Sequence, residues 1–599
     1  MIQHNSHEPF FRVPAGPAPT GTAVKVRLRC DTGKLVVLRV WNGKEVLYPM
    51  ELQENNVWEA TVYTEATPGL YWYDFMVYQQ DGKLVRYGGP ADEMGGEGKA
   101  WEEGTLKSFQ LTVYDASFRT PGFLQGANIY QILPDRFCRG EMDSRDTRRD
   151  RKLHSAWEEP FFPIDPSVPG GYNSLEFWGG NLNGIREKLP YLQELGVEVL
   201  YLNPVFKAES NHRYDTGDYE AIDPLLGTEE DFTALCEEAE KLGIRVLLDG
   251  VFNHTGSDSR YFNAKETYDS LGAAQSQDSP YYPWYIFRQY PDQYACWWDF
   301  KTLPEVNKNH PAYRRYVLGR NGIIGKWLEK GASGWRLDVA DELPMDFLRD
   351  LRRAARRKKR DAAILGEVWE DASNKMAYGV MRCYCTGDTL DSVMNYPLRE
   401  AILSFVTGKT SASHLVRLLN RQAEVYPAPF RYSLMNLMGS HDRARVLNAL
   451  VDKTGEGKTI EERGAISLTP AEYALAVDRF RVCLDILCAI PGCPTVYYGD
   501  EAGMTGAADP YCRGTYPWGR EDQALLKDVK EKLNARRHSP LMRYGHMEVT
   551  AMDSDTLLIT RYFDGKDALG RKAAEKSETI TIRRPPVEKD LLLPRKPHS

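Results

Sequence analysis

Short apolar strands alternate with amphipathic helices along the centre of this sequence, and this alternation constrains the fold more than any other feature. The runs predicted to be strands are 128–134, 197–205, 244–252, 334–340, 363–369, 392–398, 432–440 and 494–500. The clearest helix between them begins at Thr228 and ends at Gly243. An open doubly wound sheet also alternates in this way but rarely takes eight units in a row. We therefore predict an α/β fold, a (β/α)8 TIM barrel, over residues 123–535.

Three further regions flank or interrupt the predicted barrel. Residues 1–122 contain short alternating strands separated by Gly, Pro, Asn and Asp, which is typical of an antiparallel β-sandwich. A loop-rich insertion, 254–303, follows the third barrel strand and is rich in Tyr and Trp. Long connections of this kind usually carry function. Weak strands in 540–599 predict a small C-terminal β domain.

Composition and charge exclude several classes of function. The 599 residues carry a net charge of -8, with an isoelectric point of about 5.9, so no basic footprint for nucleic acid is present. The one basic run, 352–360, follows an apolar helix start and is interpreted as the solvated C-terminal end of a helix. No apolar stretch approaches the roughly 20 residues that span a bilayer. We expect no nucleic-acid partner and no membrane association.

The cysteines and the N-terminus indicate a compartment. The ten cysteines contain no Cys-x-x-Cys pair, and Cys383 and Cys385 are too close in sequence for an ordinary zinc pair. We interpret them as free thiols in a reducing environment. The N-terminus lacks the pattern of a secretory signal, with a basic start followed by an apolar core. These features predict a cytoplasmic protein.

Polar side chains stand at or just after the C-terminal ends of several predicted strands. In a barrel of this type the active site lies at those ends. The residues are Asp249, Asn253, His254, Arg336, Asp338, Glu367, Trp369, His441, Asp442 and Arg445, with His212, Tyr214 and Asp215 after the second strand. Each alone could be a turn residue, a helix cap or a structural histidine. Their convergence from separate strands at one end favours an active site.

The residue types at these ends favour cleavage of an acetal. A retaining glycosidase needs two carboxyl groups about 5 Å apart, and Asp338 and Glu367 lie on neighbouring strands, about 4.8 Å apart. Arg336 is expected to keep Asp338 ionised as the nucleophile. Apolar neighbours, including Trp369, are expected to raise the pKa of Glu367 so that it acts as the acid. Asp442 is expected to bind sugar hydroxyls as positive charge develops on the ring.

Four segments of the sequence resemble the signature segments of the α-amylase family of glycoside hydrolases. They read DGVFNHTG, GWRLDVADE, GEVW and GSHDRAR, in that order, and the resemblance covers about residues 122–520. The segments IYQILPDRF and LPEVN (303–307) are further similar to the neopullulanase, cyclomaltodextrinase and maltogenic amylase group. The N-terminal domain resembles the starch-binding-type module of that group.

The resemblance implies roles for individual residues. Asp338 becomes the nucleophile, Glu367 the general acid/base and Asp442 the transition-state stabiliser. The candidate substrate-binding residues are His212, Tyr214, His254, Arg336, His441, Trp369 and Arg445. The resemblance also implies α-1,4-glucan substrates and a homodimer formed through the N-terminal domain, which is expected to be a dimerisation element rather than a glucan binder.

Several positions depart from the family pattern. The loop 138–141 carries Arg139 where calcium-binding relatives carry an Asn-Gly-Asp pattern, and Asn181 stands where those relatives often have Asp. A cation in place of oxygen ligands opposes a hard-ion site, so we expect no metal at this loop and no required cofactor. Glu305 and Glu370 replace a common Lys and His near the leaving-group side. The preference among cyclodextrin, pullulan and starch therefore stays open.

Three functional hypotheses follow from these observations. The first is a cytoplasmic, retaining α-glucan hydrolase with some transglycosylation. The second is a glucanotransferase or branching-type transferase on the same site, because water and a second sugar compete for one covalent intermediate. The third, a glycan-binding protein on an inactive barrel, is disfavoured because Asp338 and Glu367 are both present.

Overall fold

The eight central strands form one parallel sheet. In the computed structural model, which describes residues 1–101, 104–141, 151–162 and 174–586, the strands β1 to β8 are Ile129–Ile132, Val199–Leu202, Arg245–Gly250, Gly334–Leu337, Ala363–Gly366, Ser392–Val393, Met435–Leu437 and Cys493–Tyr497. Their order is β6-β5-β4-β3-β2-β1-β8-β7. A parallel bridge between Met394 and Met435 joins the two outer strands, so the barrel is nearly closed. The predicted TIM barrel is confirmed.

Strand β4 shows how the barrel separates apolar from charged side chains. Trp335 and Leu337 are fully buried in the hydrophobic layer between the strands and the surrounding helices. Arg336 and Asp338 alternate with them and face the inside of the barrel. The charged face of this strand is thus directed toward the barrel axis, where other strands supply charges of opposite sign.

The helices around the barrel follow the sequence pattern with local corrections. They are Pro134–Phe137, Leu182–Glu187, Leu189–Leu195, Glu229–Lys241, Pro311–Leu318, Ile323–Glu329, Met345–Lys358, Tyr396–Val406, Ala412–Val425, Ala428–Arg431, Val446–Ala449, Ile460–Gly464, Pro470–Ala489, Gln523–Arg537 and Pro540–Tyr544. Thr228 caps its helix in a capping box with Asp231, as predicted. The pattern at 183–196 splits into two helices at Lys188, because Pro190 has no N–H and cannot continue a helix.

Two further corrections concern element boundaries. The helical pattern at 316–331 is interrupted between Leu318 and Ile323, where two glycines weaken the helix. Of the predicted strand 392–398, only Ser392–Val393 is extended, because Asn395 caps the following helix by accepting a hydrogen bond from the backbone N–H of Leu398. Within the described ranges, no helix combines the length and apolarity needed to cross a bilayer.

The N-terminal region forms two packed sheets, which confirms the predicted sandwich. One sheet contains Ile2–Gln3, Arg12–Val13, Ala23–Cys30, Glu51–Leu52 and Val57–Tyr63. The other contains Ala18–Pro19, Gly33–Trp41, Glu45–Pro49, Gly69–Gln79, Leu84–Gly88, Lys99–Trp101 and Phe109–Tyr114. Inward residues of both sheets, such as Leu28, Leu38 and Phe75, are fully buried in a core of their own.

The insertion and the C-terminal region complete the chain. The insertion contains a short hairpin, Phe287–Gln289 with Gln293–Tyr294, and its Trp284 is buried in the core of the barrel layer. The C-terminal domain is a three-stranded antiparallel sheet of His546–Ala551, Thr556–Phe563 and Lys576–Arg583. The first of these strands was not predicted from the sequence. The predicted end of this domain, 587–599, lies outside the described residues.

Candidate active site

One buried guanidinium group holds the carboxylates at the ends of β3, β4 and β5 together. Arg336 Nη1 lies 2.8 and 3.0 Å from the two carboxylate oxygens of Asp249 and 3.1 Å from Asp338 Oδ1. Its Nη2 lies 2.9 Å from Glu367 Oε2. Asp338 and Glu367 therefore face the same side chain from adjacent strands. The buried carboxylates are tolerated because each contacts this cation.

The backbone turns sharply immediately after Asp338. Val339 has φ 38° and ψ 57°, in the left-handed region that β-branched residues rarely occupy. Its N–H donates a hydrogen bond to Glu367 Oε2 at 2.9 Å. The turn thus fixes the carboxylate of Glu367 with a backbone donor from the neighbouring strand end. Such local strain is typical of functional sites.

A hydrogen-bond network from β1, β2 and β7 forms one wall of the site. The Tyr214 hydroxyl donates to Asp249 at 2.8 Å, accepts from Asn203 at 2.9 Å and shares a 2.6 Å hydrogen bond with His441 Nε2. The rings of Tyr214 and His441 are nearly parallel, with centres 5.2 Å apart. Gln131 Nε2 lies 2.9 Å from His441 Nδ1 and donates to it, which leaves the imidazole proton on Nε2.

Asp442 lies beside this wall, next to a second arginine that sequence reasoning missed. Asp442 Oδ2 is 3.1 Å from His441 Nε2, and Arg513 Nη2 is 3.7 Å from Asp442 Oδ1. Arg513 Nε also donates to the backbone carbonyl of His441 at 2.9 Å. Arg513 belongs to the loop after β8, so the run DPYCRG beyond the C-terminal end of that strand is the signal that could have found it.

Burial raises the pKa of two carboxyl groups of the site, those of Asp338 and Asp442. Burial and the charge of Glu367 raise the pKa of Asp338 well above its ordinary value, although Arg336 opposes the shift. Burial and the charge of Glu367 also raise the pKa of Asp442 to about 7. Arg336 also contacts Asp249 and Glu367, so its charge opposes the rise in the pKa of Asp338 only in part.

The surroundings of Glu367 also differ from the expectation. An apolar setting was predicted, but the Glu367 carboxylate contacts Arg336 and the N–H of Val339. The ring of Trp369 stacks on the ring of Tyr396, with ring centres 3.9 Å apart and planes 1° from parallel. Trp369 is half-buried at the rim of the site, with one face covered by Tyr396.

The three candidate histidines are neutral hydrogen-bonding groups. Burial lowers the pKa of His212 and of His254 to about 3 and that of His441 well below its ordinary value. His212 Nδ1 accepts from the backbone N–H of Tyr214 at 3.1 Å. His254 stacks on Trp297, and its Nε2 is buried.

Arg445 does not join the other candidate residues. Its Nη1 lies 3.1 Å from Asp500 Oδ1, and its guanidinium carbon lies 4.3 and 4.6 Å from the ring centres of Tyr497 and Tyr498. The side chain is completely buried. The chain has already left the barrel rim here, because β7 ends at Leu437. The structure thus places Arg445 in packing behind the site, contrary to the substrate-binding role expected for it.

The loop with Arg139 fills with its own side chain the place where calcium-binding relatives hold oxygen ligands. The Arg139 guanidinium donates to the backbone carbonyls of Trp178, Ser155 and His154, each at 3.0 Å. These carbonyl oxygens are of the kind that a hard cation binds. Asn181 uses its side-chain oxygen to cap a helix. The residues present do not fit calcium at this loop, and nowhere in the described ranges do three His, Cys, Asp or Glu gather as metal ligands.

Comparison with known families agrees with this geometry. The family model described as alpha amylase, catalytic domain, matches residues 131–548. The chain belongs to the α-amylase family. The matched region contains most of the nearly closed eight-stranded barrel that carries the site described above.

Relatives within the α-amylase family include amylopullulanases and a neopullulanase. The amylopullulanase of Thermoanaerobacterium saccharolyticum is 34% identical and aligns with 97% of this chain but 48% of its own length. The chain thus spans about half the length of that relative, and 42% and 34% of two further amylopullulanases. Neopullulanase 2 of Thermoactinomyces vulgaris is 30% identical, covering 88% of this chain and 83% of the relative.

A solved structure of the α-amylase family shows the same architecture. The cyclic α-maltosyl-(1→6)-maltose hydrolase of Arthrobacter globiformis, in complex with its substrate, superposes with a TM-score of 0.62 at 32% identity. The superposition covers 75% of this chain and 90% of that one. The similarity therefore extends beyond the barrel strands alone.

Proposed function

We propose that this glycoside hydrolase cleaves α-1,4-glucosidic bonds in cyclodextrins, maltooligosaccharides, pullulan or starch with retention of configuration, and that it also transfers glycosyl units to sugars. The observation that carries the proposal is the placement of Asp338 and Glu367 on adjacent strands against one guanidinium group, that of Arg336. The names of the relatives, which include neopullulanase and cyclomaltodextrinase, support the substrate class. A glucanotransferase on the same site is the second candidate.

The proposed mechanism uses the two carboxyl groups in succession. Asp338 attacks the anomeric carbon while Glu367 gives its proton to the departing glycosidic oxygen, so that one C–O bond forms as another breaks. Water then attacks the same carbon, releases Asp338 and returns a proton to Glu367. Burial and the charge of Glu367 both raise the pKa of Asp338, so a proton on Glu367 removes one of these two causes while Arg336 continues to favour the ionised form of Asp338.

The surrounding groups are proposed to bind the sugar whose bond is cut. Neutral His254 and His441 are proposed to line the pocket that binds the sugar, and His441 forms one wall of it together with Tyr214. Asp442 accepts hydrogen bonds from sugar hydroxyls and stabilises the positive charge that develops on the ring. Asp249 positions Arg336 and Tyr214 rather than touching substrate, because both are hydrogen-bonded to it at 2.8 Å.

A product profile tests the proposed function. The full chain is incubated with β-cyclodextrin, pullulan and soluble starch, and new reducing ends are counted while proton NMR follows the anomeric signals. We expect reducing ends to rise and the α-anomer to appear first. Constant reducing ends with new chain lengths would favour the glucanotransferase, and a first product in the β-anomer would contradict the retaining mechanism.

Three properties beyond the site are also proposed. A homodimer through the N-terminal domain is supported by Leu35, Trp41 and Leu47, which are exposed together on the outer face of one sheet. Light scattering of the wild type and of Leu47→Glu tests it, and retention on a starch gel would favour glucan binding by this face instead.

A cytoplasmic location is supported by the ten free cysteines, and independence from metal by the contacts of Arg139.

A further inference from the structure

An exposed hairpin projects from the loop after β5. Lys375–Ala377 pairs with Val380–Arg382, and the two residues of the tip, Tyr378 and Gly379, have φ 51° and 73°. We refer to Lys375–Arg382 as the β5 hairpin. Tyr378 is 69% exposed, which is unusual for a large aromatic side chain. An aromatic ring held at a strained tip indicates a binding role.

The β5 hairpin is fixed to the segment that follows the nucleophile. Lys375 forms ion pairs with Asp341 and Glu370, and Arg382 Nη1 donates to the backbone carbonyl of Leu343 at 2.6 Å. The hydroxyl of Tyr378 donates to the carboxylate of Glu342. The tip is therefore held in place by contacts at both of its ends, rather than extending freely into solvent.

The β5 hairpin lies on the side of the site where the leaving group departs. The side chains proposed to bind the sugar that is cleaved follow β2, β3 and β7. The β5 hairpin instead follows Glu367, which protonates the departing oxygen, and packs on the loop after β4. The leaving sugar must lie next to the acid that protonates it. The same position later receives an acceptor sugar.

Two carboxylates, those of Glu342 and Glu305, lie near the side chain of Tyr378. Burial, the hydrogen bond to Glu342 and the charges of Glu342 and Glu305 raise the pKa of the Tyr378 phenol. Glu305 stands on the segment that forms a backbone bridge to His254, which follows β3. An aromatic face with carboxylate oxygens beside it matches a sugar, because the ring packs on the apolar face and the carboxylates accept from hydroxyls.

We propose that Tyr378 binds the glucosyl unit on the leaving-group side, and that the β5 hairpin thereby determines how often a sugar rather than water receives the glycosyl group. This inference rests on the proposed function. In transfer, an acceptor hydroxyl oxygen bonds to the anomeric carbon, the bond to Asp338 breaks, and the hydroxyl proton passes to Glu367. Water reacts in the same way, so occupancy of the acceptor position sets the ratio of the two products.

The test uses α-maltosyl fluoride as donor and maltose as added acceptor, with the full chain. Fluoride is too small to fill the acceptor position, so the ratio of transfer to hydrolysis reports acceptor binding. We expect Tyr378→Ala to lower this ratio about tenfold and to raise KM for maltotriose, while Tyr378→Phe lowers the ratio roughly threefold. The control is Met381→Ala, since Met381 lies on the same β5 hairpin and is 44% exposed.

The outcomes separate this inference from the proposed function. A ratio that is the same in Tyr378→Ala, Met381→Ala and the wild type overturns the role of Tyr378, provided that the wild type cleaves α-glucans. A wild-type enzyme that releases neither fluoride nor sugar contradicts the proposed function and this inference with it. An unchanged Tm in the Tyr378 variants, expected for an exposed residue, excludes unfolding as the cause of a lower ratio.

Discussion

Replacing the two central carboxylates by their amides separates the role of the nucleophile from that of the acid. Asp338→Asn and Glu367→Gln conserve volume in a site where both side chains are nearly fully buried. In Asp338→Asn, Arg336 keeps Asp249 at 2.8 and 3.0 Å and Glu367 at 2.9 Å. The guanidinium therefore stays paired, and we expect both variants to fold.

The expected losses differ because the two groups act on different bonds. A carboxamide cannot attack the anomeric carbon, so Asp338→Asn should lose at least about 10⁴-fold in kcat/KM, or about 5.4 kcal/mol of transition-state stabilisation. Glu367→Gln should lose roughly 10²- to 10⁴-fold on maltotriose, whose leaving oxygen needs a proton. On α-maltosyl fluoride the first step needs no acid, so the loss in Glu367→Gln should be much smaller.

The assay measures both substrates with each variant. Release of fluoride is followed with an electrode, and release of glucose from maltotriose is followed by chromatography. Asp338→Asn should be inactive on both substrates. Turnover of either substrate by Asp338→Asn near the wild-type rate would refute the assignment of the nucleophile, and equal losses of Glu367→Gln on both substrates would refute that of the acid.

Three further predictions follow from individual contacts. Asp442→Asn should have a higher Tm than the wild type above about pH 7 and an equal Tm near pH 4. The reason is that a folded-state pKa raised to about 7 gives the wild type stability that is present at low pH and lost as pH rises. Calorimetry across pH measures both Tm values, and a Tm difference that does not change with pH would contradict the prediction. Tyr214→Phe should lower kcat about tenfold or more, because the hydroxyl links Asp249 and His441; kinetics on β-cyclodextrin check it, and unchanged kcat would argue against the network. Arg445→Met should lower the free energy of unfolding by about 3 kcal/mol or more and leave KM unchanged, since it leaves buried Asp500 without the guanidinium that pairs with it. A raised KM together with a wild-type Tm would instead support a substrate-binding role for Arg445.

Much of the fold could be predicted from the sequence because its signals are local. Each barrel strand was found as an apolar run, and the capping box of Thr228 and Asp231 marked a helix start correctly. Errors occurred where a single residue overrides a longer pattern. Pro190 divides a helix, and Asn395 begins a helix inside a predicted strand. The carboxylates were found because each stands at the end of a recognisable strand.

The sequence by itself predicted the barrel and the positions of Asp338, Glu367 and Asp442 at or just after the ends of its strands, because hydrophobic periodicity and short motifs depend only on neighbouring residues. The tertiary structure alone decided which charges share Arg336, that Arg513 reaches the site from the loop after β8, and that Arg445 does not. The physical reason is that ionisation and contact depend on every group within a few ångströms. Those groups come from segments hundreds of residues apart in the chain.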